Sequence, residues 1–114
     1  MATQNLILYK RTEDLLYKMY PRLANYPKSE KFSLCHTIKE TFFDLLGYIS
    51  MVNNVKPKRI TYLQEADASL QKLKTLVKLS KQRKYISVGF FKDVDTECTE
   101  INKLLRGYIR SAVK

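Results

Sequence analysis

Cys35-His36-Thr37-Ile38-Lys39-Glu40-Thr41-Phe42-Phe43-Asp44-Leu45-Leu46-Gly47-Tyr48-Ile49-Ser50-Met51-Val52 sets Cys35, Ile38, Phe42, Leu45, Ile49 and Val52 at alternating three- and four-residue steps. That spacing lines one face of an α-helix and fits no strand, whose faces alternate at every residue. The stripe is narrow, continuous and wholly apolar, so other elements must cover it. It predicts a helix over about Glu30 to Asn53. Ser29, ahead of Glu30, Lys31 and Phe32, is the expected N-cap. Asn53-Asn54-Val55-Lys56-Pro57 is the expected end.

Upstream, Leu8, Leu15, Leu16, Met19 and Leu23 share one face of a helix over about Asn5 to Leu23, flanked by Tyr9 and Tyr20. Pro21 is expected to kink or weaken its last turn. Downstream, Leu63, Ala66, Leu70, Leu73 and Val77 line a third helix over about Lys58 to Arg83. After the turn Lys84-Tyr85-Ile86, Ser87 caps a fourth over about Ser87 to Val113. Its expected inward residues are Phe91, Val94, Cys98, Ile101, Leu105, Tyr108 and Ala112. Four amphipathic helices with short loops predict one all-α domain over residues 1–114, an up-down-up-down four-helix bundle.

Composition narrows the rest. A chain of 114 residues, 45% apolar, builds one core and not two. With only 3 Gly and 3 Pro it lacks the turns of a many-stranded sandwich or barrel. No apolar run is long enough to span a bilayer. Met1-Ala2-Thr3-Gln4-Asn5 has no basic segment ahead of an apolar core, so the expectation is a cytoplasmic protein with no membrane partner.

Chemistry-bearing residues are few. The 2 cysteines, Cys35 and Cys98, are far apart and the single histidine is His36, which excludes a Cys/His zinc site. Both cysteines fall on apolar stripes and read as buried thiols. Cys35 and His36 point about 100° apart on a helix, which does not make a nucleophile–base pair. One histidine cannot supply two Glu-x-x-His pairs for a di-iron core, and no phosphate-cradling glycine motif is present. The expectation is no enzyme, no cofactor and no metal.

The net charge of +10 is unevenly spread. Between Ala68 and Lys92 there is no acid, but Lys72, Lys74, Lys78, Lys81, Arg83, Lys84 and Lys92 are present; after Glu100 come Lys103, Arg106, Arg110 and Lys114. Lys74, Lys78 and Lys81 share one side of the third helix, as Lys103, Arg106 and Arg110 do on the fourth. Single lysines mostly solvate a face, but paired acid-free rows suit a polyanion, RNA or DNA. Lys72 and Arg83 complete the candidate set. Leu76 and Leu79 on the third helix and Phe43 on the second lie off the core stripes. They are expected to be exposed and to form a contact between copies. A scaffold or adaptor that uses charge only for solubility is the rival reading.

Tyr26-Pro27-Lys28-Ser29-Glu30-Lys31-Phe32-Ser33-Leu34 resembles the Pro-(Arg/Lys)-x-x-(Arg/Lys)-Phe-x-Leu lead into the second helix of the accessory variability determinant proteins of diversity-generating retroelements. Leu63 to Leu79 is similar to their basic, leucine-rich third helix. Ile86-Ser87 and Glu100 to Ser111 are similar to their last helix. The resemblance covers nearly the whole chain through helix patterns more than sharp motifs. It extends to the four-helix proteins of 23S ribosomal RNA intervening sequences, whose role is unclear. It implies a homopentamer of four-helix bundles, assembled into a ring or barrel with a basic surface, that binds nucleic acid and partners a reverse transcriptase during mutagenic copying of a template RNA. The chain departs from the pattern in two places. Lysine stands where arginine is expected on the third helix, which weakens bidentate phosphate contact but not charge attraction. The turn Arg83-Lys84-Tyr85 has no glycine.

Overall fold

The computed structural model describes residues 2–54 and 56–113, with side chains described for 6–52 and 57–113. Val55 of the expected second loop and the Lys114 charge lie outside the described residues. Four helices follow in order: α1 (Ala2–Leu23), α2 (Leu34–Asn54), α3 (Arg59–Gln82) and α4 (Val88–Ala112). Single 3-10 turns at Lys28–Glu30 and Lys56–Lys58 precede α2 and α3. Each helix packs on the next, and α4 closes on α1. Neither diagonal pair meets among the described residues, which is the arrangement of an up-down-up-down bundle. The bundle measures 45 × 25 × 18 Å. Its tightest seam is α2 against α3 and its loosest α1 against α4.

The α2 stripe fills the centre. Cys35, Ile38, Phe42, Leu45, Ile49 and Val52 are all buried, in one cluster with the stripes of α1, α3 and α4. Three polar side chains share that interior, and each bonds within its own helix. Thr12 Oγ1 donates to the Leu8 carbonyl at 2.9 Å, Thr41 Oγ1 to Thr37 at 2.6 Å and Ser80 Oγ to Leu76 at 2.9 Å. Back-bonding of this kind removes the cost of an unpaired buried hydroxyl.

Three expectations need correction. The second helix does not start at Glu30. Pro27 opens a 3-10 turn, a second tight turn follows, and α-helical bonding begins with Thr37 N–H to the Ser33 carbonyl at 2.9 Å. The cause is Glu30, whose carboxylate accepts from Ser33 Oγ at 2.7 Å and Tyr85 Oη at 2.9 Å and so ties the lead-in to the α3–α4 turn. These bonds, Ser33 first, hold the Glu30 carboxyl below its ordinary value.

On α4 the inward aromatic of the first turn is Phe90, while Phe91 is only half-buried. Phe90 lies toward α1, under the Arg22 guanidinium at 4.3 Å, and Phe91 lies toward α3, under Lys81 Nζ at 4.4 Å. The core at this end is closed by α1's Leu23 and by Tyr26, which draws the stripe to the α1 side. Leu76, expected to be exposed, is half-buried and packs on the core because α2 lies so close to α3.

Ser87 caps α4, its hydroxyl accepting from Phe90 N–H at 3.0 Å. Beyond Leu23, Ala24, Asn25 and Tyr26 donate to the carbonyls three residues back, so α1 tightens after Pro21 and ends.

Candidate nucleic-acid interface

Side-chain pairs across the α3–α4 seam fix how the two basic rows stand. Arg106 Nη2 lies 3.8 Å from Asp67 Oδ2, Gln71 Nε2 donates to Asn102 Oδ1 at 3.3 Å, and Lys81 sits on Phe91. Pairing Asp67 with Arg106 and Gln71 with Asn102 puts Lys74, Lys78 and Lys81 level with the first half of α4. Lys103, Arg106 and Arg110 stand level with the first half of α3. The rows share one face but follow each other end to end, with Gln71 and Asn102 at the junction. Leu63 is level with Arg110, and from there to Lys81 is about 27 Å at 1.5 Å per residue.

The Lys74–Lys81 half contains a cleft of about 440 Å³ lined by Gln71, Lys74, Thr75, Lys78, Phe91 and Asp95. Lys78 is exposed and Lys74 half-buried. In the other half Lys103, Arg106 and Arg110 are exposed. Absence of acids along the chain does not carry over into space. Asp95 enters the cleft, Asp67 faces Arg106, and Glu100 lies 3.6 Å from Lys103 Nζ. In both ion pairs the cation's side chain is more than half exposed, at 57% for Arg106 and 69% for Lys103, so the pairs contribute about 0–1 kcal/mol each and leave the cations available to a stronger anion.

Two members of the candidate set stand apart. Lys72 is exposed, two residues from Lys74 and so about 200° away around α3. Arg83 caps the end of α3, where the Tyr85 hydroxyl and then the Glu30 carboxylate hold its charge. The apolar candidates do not form one patch either. Phe43, 49% exposed, is one turn beyond Lys39, whose Nζ lies 4.8 Å over the Tyr20 ring, and so faces the α1 side. Leu76 and Leu79 are on the far side of α3 from the lysine cleft, and Leu79 is 40% exposed.

Nothing nucleophilic collects on this face. Both thiols are buried, and burial pushes Cys98 up to about 12 and raises Cys35 as well. His36 is exposed on the first turns of α2. Among the described residues no group of His, Cys, Asp and Glu could hold a metal ion, and no helix is long and apolar enough to cross a membrane.

Helical periodicity does not by itself mark the exposed aromatics. Phe32 is 95% exposed, Tyr17 61% and Tyr20 46%. The signal for the tyrosines was their offset from the α1 stripe. Phe32 gives no such signal, because it lies between the 3-10 turn and α2 and belongs to no stripe.

No curated protein matches the chain. A crystal structure of a protein of unknown function from the S23 ribosomal protein family of Bacteroides thetaiotaomicron is similar at a TM-score of 0.83. The likeness covers 94% of this chain and 98% of that one at 16% identity, which establishes a common fold. The family model described as bAvd-like matches residues 6–112, the whole bundle from the first turns of α1 to the end of α4, and the chain therefore belongs to the bAvd-like family.

Proposed function

We propose that the protein is a non-catalytic accessory subunit of a diversity-generating retroelement, binding nucleic acid through phosphates and working beside the reverse transcriptase. The observation that carries the reading is the α3–α4 face, where Lys74, Lys78 and Lys81 continue lengthwise into Lys103, Arg106 and Arg110. The cations of the two rows outnumber the acids beside them, Asp67, Asp95 and Glu100, and the fold does not require that excess; a polyanion neutralises it and releases its counterions. Lysine heads are point charges without base-reading geometry, so the contacts are to backbone phosphates and the affinity is nearly independent of sequence. Membership of the bAvd-like family supports the retroelement setting. We also propose that five copies assemble, with Leu79 at the contact, which multiplies the rows available to one strand.

Fluorescence anisotropy across a salt series tests the binding. Log affinity should fall linearly with log salt, each phosphate contact adding roughly 0.7 to 0.9 to the slope. Replacing Lys74, Lys78 and Lys81 together by Gln should lower affinity and flatten the slope by about 2. If the triple variant matches wild type at every salt concentration, the α3–α4 face is not the binding face. Co-purification with the reverse transcriptase of the same retroelement tests the partnership, and separate elution at low salt would refute it.

A further inference from the structure

Exposed aromatic rings gather on the α1–α2 side of the bundle, apart from the lysine rows. Tyr20, Pro21, Lys31, Phe32 and Lys39 wall a cleft of about 390 Å³ between the end of α1 and the start of α2. A second cleft, of about 360 Å³, shares Tyr20 and Pro21 and continues along α1 to Tyr17. One exposed ring is ordinary on a protein surface; three around a continuous cleft walled by two lysines are not. The backbone on either side of Phe32 is tied by hydrogen bonds of its neighbours. On one side the Ser33 hydroxyl donates to the Glu30 carboxylate, and on the other Lys31 N–H donates to the Lys28 carbonyl at 3.2 Å. Glu30 is thereby turned to Ser33 and Tyr85, and neither Lys31 nor Lys39 has a carboxylate partner among the described residues.

We propose that this cleft is a second binding site, specific for single-stranded nucleic acid. Unpaired bases stack on Phe32 while Lys31, and Lys39 from its seat 4.8 Å over the Tyr20 ring, take the adjoining phosphates. A nucleotide offers a flat π-face and an anion a few ångströms apart, which is the pairing the cleft presents. A duplex keeps its bases stacked inside and cannot offer the face. The site needs the protein to meet nucleic acid, as the proposed function does, but it does not need the α3–α4 rows.

The test uses the full chain with fluorescent RNA and DNA strands of about twelve nucleotides, each alone and as a duplex, with 2-aminopurine reporting stacking. Phe32→Ala should weaken single-strand binding about tenfold and abolish the 2-aminopurine quench, leaving duplex affinity unchanged. Phe32→Tyr should restore both. Lys31→Gln with Lys39→Gln should lower the single-strand salt slope by about 0.7 for each lysine. Phe32 is almost fully exposed, so its replacement does not threaten folding. The proposal is overturned if the wild type binds no single strand, or if Phe32→Ala binds strands as well as wild type. Equal losses for strand and duplex also overturn it, as does a Phe32→Ala change in sedimentation coefficient, which marks a protein contact. A Lys74/Lys78/Lys81 triple variant that loses duplex but keeps strand binding supports it. A triple variant indistinguishable from wild type refutes the proposed function while leaving this cleft standing.

Discussion

Lys84 has a φ of 64°, the left-handed region that a residue with a Cβ rarely enters. It stands there because α3 ends in a Schellman turn: Tyr85 N–H donates to the Ser80 carbonyl and Lys84 N–H to Lys81, both at 2.9 Å. This is the turn in which the family resemblance leads one to expect glycine. The chain accepts the strain, and the turn delivers Tyr85 to Glu30 and to the Tyr26 ring, whose centroid is 5.1 Å away. Lys84→Gly should therefore stabilise the protein by about 1 kcal/mol, seen as a rise of a few degrees in thermal midpoint. An unchanged or lower midpoint would show that the turn is not strained.

The outer side of α3 separates two roles that spacing alone assigned together. Leu79 is exposed enough to meet another copy, while Leu76 belongs to the seam with α2. Leu79→Glu should dissociate the proposed pentamer in sedimentation velocity with helicity unchanged. Leu76→Glu should instead cost about 1–3 kcal/mol of bundle stability, because a carboxylate enters a half-dry seam. A wild-type monomer at micromolar concentration would refute the assembly outright. The sequence declared each helix through its apolar stripe, since burial repeats with the helical period. It could not declare which of Phe90 and Phe91 turns inward, because both lie at the stripe's edge and the neighbouring helix decides. The start of α2 was hidden for a similar reason: Glu30 is held by Tyr85, distant in sequence. Both basic rows were legible as rows. Their end-to-end placement was not, because the register between helices is set by packing across the seam.

The whole molecule shares its fold with a protein only 16% identical, which fits an architecture specified by apolar period and loop length more than by particular side chains. What particular side chains specify is the surface. The α3–α4 side carries the two rows of cations, and the α1–α2 side carries exposed rings around a cleft walled by Lys31 and Lys39. The end-to-end rows on the first side also set a length. Duplex DNA advances 3.4 Å per phosphate along each strand, so a stripe of about 27 Å spans about eight base pairs. Titration of the dissociated Leu79→Glu protein with duplexes of graded length should show affinity climbing up to about that footprint and levelling beyond it. Had the rows lain side by side, the plateau would come at half the length, so a ruler made of oligonucleotides reads out the register of two helices.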